Sequence, residues 1–293
     1  MFYRRKIILS LLQAFNWEIE KIKLQKLIFL ASERQKESEY QFVPYKFGCY
    51  SFSLKADLVT MVKKGLIDET PTSYKLASKV DYFKSLKEED KVIVRDIKKH
   101  YSAMSSNSLM KYTYVHYPYL ATKSTVAHEL LNEAELARVN AANKEKDNTT
   151  LYTIGYEGIS LEDYFNKLIK HDIKVLVDVR SNALSMKFGF SKTLLSRYCG
   201  SLGIAYKHFP EVGIKSNQRQ ELNTQSDYDK LFKDYKKELP STLSTQITIL
   251  ELLKQEKRIA LTCFEADICQ CHRKPLAESI KALPNFKYEL KHI

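Results

Sequence analysis

The sequence predicts two domains, a mostly helical, winged-helix-like N-terminal one and an α/β C-terminal one with a mainly parallel sheet. Three observations carry this expectation. At 293 residues the chain is long enough for two cores of ordinary size. In the first half, apolar residues recur at helical spacing and end in two short strand-like segments around a polar turn. In the second half, short apolar runs such as Leu151-Tyr152-Thr153-Ile154, Val175-Leu176-Val177 and Ile259-Ala260-Leu261 alternate with amphipathic stretches, the rhythm of strand, helix, strand.

In chain order, the first helix is expected over residues 4–15. Arg4-Arg5-Lys6 ahead of an apolar run imitates a signal peptide, but Gln13, Asn16 and Glu18 interrupt it and no small-residue cleavage site follows. An amphipathic helix is the better reading. Leu24, Leu27, Ile28 and Ala31 mark a second helix, and Leu54, Leu58, Met61 and Val62 a third that Gly65 ends. Leu66-Ile67, a polar turn and Tyr74-Lys75-Leu76 then supply the hairpin that follows the third helix of a winged helix. Lys55, Lys63 and Lys64 on that helix are the candidate nucleic-acid contacts. Tyr45, Phe47, Tyr50 and Phe52 are expected as core and rim, and Tyr112, Tyr114, Tyr117 and Tyr119 as packing between domains. The boundaries read 1–138, a polar linker at 139–150, and 151–293.

The run Lys23-Leu24-Gln25-Lys26-Leu27-Ile28-Phe29-Leu30-Ala31, with Pro44-Tyr45-Lys46-Phe47-Gly48 and Leu66-Ile67, resembles the antitoxin-type domain called Panacea, domain of unknown function 4065. That resemblance covers roughly the first 80 residues. It implies a domain that binds DNA or a protein partner.

In the second half a glycine-containing turn, Gly155-Tyr156-Glu157-Gly158-Ile159-Ser160, follows the first strand, and Asp178-Val179-Arg180-Ser181 follows the second. Residues 204–209 read as a further strand, residues 214–225 as a basic loop over the strand tips, and residues 242–255 as a helix leading to the strand at Ile259. Tyr152-Thr153-Ile154-Gly155, Ser160, Val177-Asp178-Val179-Arg180-Ser181, His208-Phe209-Pro210-Glu211-Val212-Gly213, Cys263-Phe264-Glu265 and Cys271-His272-Arg273 together resemble the family called domain of unknown function 488. The resemblance spans 151–293 and implies a compact α/β domain with its signature residues at the carboxyl edge of the sheet. Two positions depart from the family pattern: Tyr156 stands where the family often has His, and Ile214 where a second glycine is expected.

Strand tips in an open α/β sheet are where ligands bind. Asp178 and Glu265 are therefore the candidate acid/base pair, His208 a second proton-transfer group, and Cys271, beside Arg273 at a helix start, a candidate low-pKa nucleophile. Gly155, Ser160, Arg180, His272 and Arg273 are the candidate anion and substrate contacts. Cys263, Cys269, Cys271 and His272 are all zinc-type ligands, but the adjacency of Cys271 and His272 argues against joint coordination, so neither metal nor cofactor is expected.

A net charge of +12 favours phosphate-bearing partners. DNA or RNA, a nucleotide-like small molecule, or a protein partner for the N-terminal domain are the expected partners. Five scattered cysteines do not form a secreted disulfide framework, and no apolar run is long enough to span a membrane. The expected setting is a reducing cytoplasm. The leading functional expectation is processing of a nucleotide or nucleic acid by hydrolysis of an N-glycosidic or phosphoryl bond. The alternative is a regulator that binds such a ligand without turnover, or an antitoxin-like protein-binding module.

Overall fold

The computed structural model describes residues 1–215, 218 and 222–293 and divides into two units, Met1–Lys144 and Glu145–Ile293. The N-terminal unit begins with α1 (Tyr3–Ala14), β1 (Glu18–Glu20) and α2 (Lys21–Ser32), followed by a hairpin of β2 (Val43–Tyr45) and β3 (Gly48–Tyr50). Then come α3 (Phe52–Lys63) and a second hairpin of β4 (Ile67–Glu69) and β5 (Ser73–Leu76). β1 pairs antiparallel with β5, and β5 with β4, giving a sheet of order β1-β5-β4.

The helices form on the stripes the sequence offers. α1 buries Ile7, Ile8, Leu11 and Leu12, α2 buries Leu24, Leu27, Ile28 and Ala31, and α3 buries Leu54, Leu58 and Met61. The Ser51 hydroxyl accepts from the Leu54 N–H at 3.1 Å and caps α3. Gly65 lies just beyond it at φ +64°, a conformation glycine adopts without a Cβ penalty. The charged prefix of α1 has a structural use. Arg4 Nε and Arg5 Nε donate to the Asp57 carboxylate on α3 at 2.6 and 2.7 Å, and the Tyr40 hydroxyl donates to it at 2.8 Å. The two arginines therefore fasten one helix to another.

Five further helices complete this unit: α4 (Glu88–Tyr101), α5 (Ser106–His116), α6 (Pro118–Ala121), α7 (Ala127–Leu130) and α8 (Glu133–Ala142). Tyr112, Tyr117 and Tyr119 pack against its main core and Tyr114 is buried with Met110 and Ala121. The tyrosines expected between domains thus supply core to their own unit. Of the segment 139–150, residues through Ala142 belong to α8 and Thr150 begins the next strand.

The C-terminal unit contains β6 (Thr150–Gly155), α9 (Leu161–Lys170), β7 (Val175–Asp178), α10 (Lys192–Ser201), β8 (Ala205–His208), α11 (Gln225–Glu238), α12 (Leu243–Glu256), β9 (Arg258–Cys263), α13 (Arg273–Lys281) and β10 (Glu289–His292). Its five strands run parallel in the order β10-β6-β9-β7-β8. The centre is β9, buried along its whole length, as expected of a strand covered on both faces. Ile259 and Leu261 of β9 share a core with Ile249, Leu250 and Leu253 of α12 and Leu276, Ala277 and Ile280 of α13.

Because the strands are parallel, their carboxyl ends share one edge. Gly155 lies in register with Cys263, and Asp178 with both Thr262 and His208. At the opposite edge buried Arg258 donates to the carbonyls of His171 and Asn148 and to the Tyr152 hydroxyl, which fixes the amino ends of the strands. The segment 214–225, expected as a loop over the strand tips, falls partly outside the described residues, Arg219 included. Among the described residues no helix is long and apolar enough to cross a membrane.

Candidate functional site

At the tip of β7 the side chain of Asp178 is fully buried. Its Oδ1 accepts from Arg180 Nε at 2.8 Å and from the Arg180 backbone N–H at 3.1 Å. Its Oδ2 accepts from Arg180 Nη2 at 2.5 Å and the Tyr206 hydroxyl at 2.6 Å. Arg180 Nη1 in turn donates to the Tyr156 hydroxyl at 2.7 Å and the Phe190 carbonyl at 2.9 Å. Four of the five guanidinium N–H groups are thereby engaged. Burial works against the Arg180 cation, but the Asp178 hydrogen bonds and charge outweigh it and hold its pKa above the ordinary value. Burial and then the Asp178 charge push the Tyr206 hydroxyl up, so it stays protonated as a donor. The carboxylate expected in an acid/base pair thus accepts from Arg180 and Tyr206 and orients the arginine.

Glu265, the other member of the expected pair, faces two thiols. Its Oε2 accepts from Cys263 Sγ at 3.2 Å and from Cys271 Sγ at 3.0 Å, while Cys263 Sγ lies 3.6 Å from His272 Nδ1. One ligand atom from each of Cys263, Glu265, Cys271 and His272 falls within 4.8 Å of the other three. The adjacency of Cys271 and His272 does not keep them apart, because the backbone changes conformation between them. Cys271 is extended (φ −127°, ψ 135°) and His272 is helical (φ −63°, ψ −12°) as the residue that opens α13.

Burial pushes the Cys271 thiol well above its ordinary pKa, its neighbour Cys263 adds to the rise, and Arg273 opposes it. The expectation of a lowered pKa there is corrected: Arg273 is present, but desolvation is larger. Arg273 and His272, expected as anion contacts, are engaged by protein groups. Arg273 is 1% exposed and donates to Cys271 Sγ at 3.1 Å and the Glu265 carbonyl at 2.6 Å. His272 is fully buried, with Nε2 3.0 Å from the Val179 carbonyl. Gly155 is required here for space, since a Cβ on it would lie 2.0 Å from the Glu265 carbonyl oxygen.

Ser160 is the cap of α9: its hydroxyl accepts from the Asp163 N–H at 3.0 Å and donates to the Asp163 carboxylate at 2.7 Å. The half-buried His208 places Nε2 2.8 Å from the Arg180 carbonyl. In the N-terminal unit Lys55 donates to Glu69, which it shares with Lys21, at 3.1 Å and to the Tyr74 hydroxyl at 2.7 Å. Lys63 and Lys64 are exposed at the carboxyl end of α3.

Between the tips of β7 and β9 a hollow of about 260 Å³ is lined by Tyr156, Arg180, Ser181, Asn182, Ser185 and Cys263, with Leu184, Ile214 and Phe264 completing its walls. Phe264 and Leu184 are large apolar side chains left exposed here, at 42% and 77%. Asn182 and Ser185 lacked any periodicity or motif that would single them out, and Phe264 stood inside the Cys263-Phe264-Glu265 motif without a role of its own. Tyr156 did carry a signal, being the departure from the family pattern next to Gly155. A second hollow of about 260 Å³ lies in the N-terminal unit among Lys21, Lys26, Tyr45, Phe47, Tyr50 and Tyr74.

No curated protein matches the chain. Residues 160–280 match the family model described as Domain of unknown function DUF488; this match carries the resemblance of the C-terminal unit and does not reach the N-terminal unit.

Proposed function

We propose that the C-terminal unit binds a nucleotide, free or at an end of nucleic acid, in the hollow between the tips of β7 and β9, and that the N-terminal unit recruits nucleic acid. The single observation that carries this reading is the lining of that hollow. Arg180, held in place by Asp178, lines it together with Ser181, Asn182 and Ser185, which offer polar contacts for sugar and phosphate. Exposed Phe264 at the wall offers a face for a base. Binding without turnover is favoured over hydrolysis. Hydrolysis by the expected carboxylate pair needs one member free to exchange a proton or to face a developing cation, yet Asp178 is engaged by Arg180 and Tyr206 and Glu265 is directed at two thiols. A phosphoryl-transfer reading loses its charge clamp as well, since the Asp178–Arg180 pair is neutral overall and Arg273 is buried.

The N-terminal reading rests on topology. Helix, strand, helix, helix and hairpin, with the first strand against the last, is the order of a winged helix, although an extra hairpin stands before α3. The exposed cations for a phosphate backbone are then Lys63 and Lys64.

Calorimetric titration of the full chain with nucleoside monophosphates tests the first part, with product analysis of the same mixtures. Saturable binding that weakens at least fivefold in Phe264→Ala and Asn182→Ala, with neither base nor phosphate released, is expected. No saturable binding, or binding indifferent to both substitutions, would overturn the reading, and release of free base would restore the hydrolytic one.

A further inference from the structure

The four-residue cluster beside this hollow has the composition and arrangement of a metal site. We propose that Cys263, Glu265, Cys271 and His272 bind one divalent cation of the zinc class in a closed, structural, four-coordinate site. Its ligands come from three consecutive pieces of chain: the last residue of β9, the loop that follows, and the start of α13. The inference does not depend on what occupies the neighbouring hollow.

Distance is the first support. A tetrahedral zinc with ordinary Zn–S and Zn–N lengths holds its ligand atoms about 3.5–3.8 Å apart. The cluster has Cys263 Sγ to His272 Nδ1 at 3.6 Å, with the thiol–carboxylate contacts at 3.0 and 3.2 Å and every pair within 4.8 Å. Shifts of a few tenths of an ångström in the close contacts, and up to about an ångström in the widest, convert one arrangement into the other. No change of backbone path is needed.

Ligand presentation is the second support. His272 has Nε2 at 3.0 Å from the Val179 carbonyl. An N–H donated there puts the imidazole proton on Nε2 and leaves the Nδ1 lone pair directed into the cluster, the outer-sphere support that metal-binding histidines usually have. Arg273 Nε lies 3.1 Å from Cys271 Sγ, where a guanidinium N–H stabilises a thiolate.

Charge is the third. On binding, Cys263 and Cys271 give up their protons, so two thiolates and one carboxylate carry three negative charges where Cys263, Cys271 and His272 are nearly inaccessible to water. The divalent cation and Arg273 together then bring the sum to zero, so the bound state buries no uncompensated charge. The softness of two thiolates and an imidazole selects zinc over magnesium or calcium. Binding forms bonds from the cation to Cys263 Sγ, Cys271 Sγ, His272 Nδ1 and a Glu265 carboxylate oxygen. The two thiol protons leave to solvent, and nothing is oxidised or reduced.

Four protein ligands leave no open position, so the ion fastens the loop carrying Phe264 to the start of α13. The test uses the full chain, purified without chelator and then titrated with zinc or cobalt(II) alone. Expected are one zinc per chain by elemental analysis and, with cobalt(II), the sulfur-to-metal charge-transfer and strong visible bands of a tetrahedral site. Cys269→Ser, a change at an exposed cysteine outside the cluster, should keep both. Cys271→Ala and His272→Ala should each lower the zinc content at least fivefold. Two outcomes would overturn the proposal: wild-type protein that takes up neither metal, or a full complement of metal in both ligand variants. If the ligand variants do not fold, the cobalt(II) spectrum of wild type decides alone, with the absence of thiolate charge transfer as the contrary result.

Discussion

Asp57 and Asp178 are both buried aspartates that accept hydrogen bonds from arginine and tyrosine, but they serve different ends. Asp57 ties Arg4 and Arg5 of α1 to α3, and one of its partners, Arg4, keeps about a third of its side chain in solvent (35%). Asp178 holds an arginine only two residues along its own loop, buried to 5% and lining the hollow between the strand tips. The first pair secures one helix against another, and the second holds an arginine at the lining of a ligand-sized space. An ion pair therefore marks a candidate site only when its charged end also borders a cavity.

Asp178→Asn has the largest expected effect. It leaves the Arg180 guanidinium buried without its counter-charge, and chemical denaturation of the C-terminal unit should show a loss of about 3–5 kcal/mol, with nucleotide binding lost as well. Asp57→Asn should cost the N-terminal unit less, about 2–3 kcal/mol in the same experiment, because Arg4 can turn to water, and nucleotide binding should be unchanged. Equal losses, or loss of nucleotide binding in both variants, would erase the distinction.

Phe264→Ala sharpens the contrast from the other side. A side chain this exposed should alter stability by less than about 0.5 kcal/mol. Its removal should weaken nucleotide binding by about 1–3 kcal/mol if a base stacks there. The smallest effect belongs to an exposed network. Hydrogen bonding from Lys21, and then from Lys55, lowers Glu69 from 4.5 to about 2 against the opposing effect of burial. A carboxylate whose folded pKa is depressed adds stability that is full above about pH 4.5 and is lost as pH falls through about 2. Solvent screening keeps the contribution below about 1 kcal/mol, so Glu69→Gln should lower stability slightly at neutral pH and lose less stability on acidification, the two proteins converging as pH falls toward about 2.

Where the sequence was legible, the signal was periodic or continuous. The stripes Leu24-Leu27-Ile28-Ala31 and Leu54-Leu58-Met61 give helices within a turn of their observed ends, and Val175-Leu176-Val177 and Ile259-Ala260-Leu261 give buried parallel strands. β1 and the β2–β3 hairpin were not legible as strands, because three residues are too few for alternation to register. Strand order was hidden too: β9 is inserted between β6 and β7, a choice made by packing. At the candidate site, the closeness of Cys263, Glu265, Cys271 and His272 follows from their place in one short segment between the end of β9 and the start of α13. Which carboxylate faces an arginine and which faces thiols depends on tertiary contacts with Tyr206, Val179 and Arg273. Motif spacing carries no record of those contacts.

The central claim is that the hollow at the carboxyl edge of the C-terminal sheet is the nucleotide site. A crystal structure of the full chain with a bound nucleoside monophosphate tests it most directly. The account predicts polar atoms of the ligand within hydrogen-bond distance of Arg180, Asn182 or Ser185 and the base against Phe264. A nucleotide lodged instead among Tyr45, Tyr50 and Lys26 of the N-terminal unit, or none bound at saturating concentration, would contradict it.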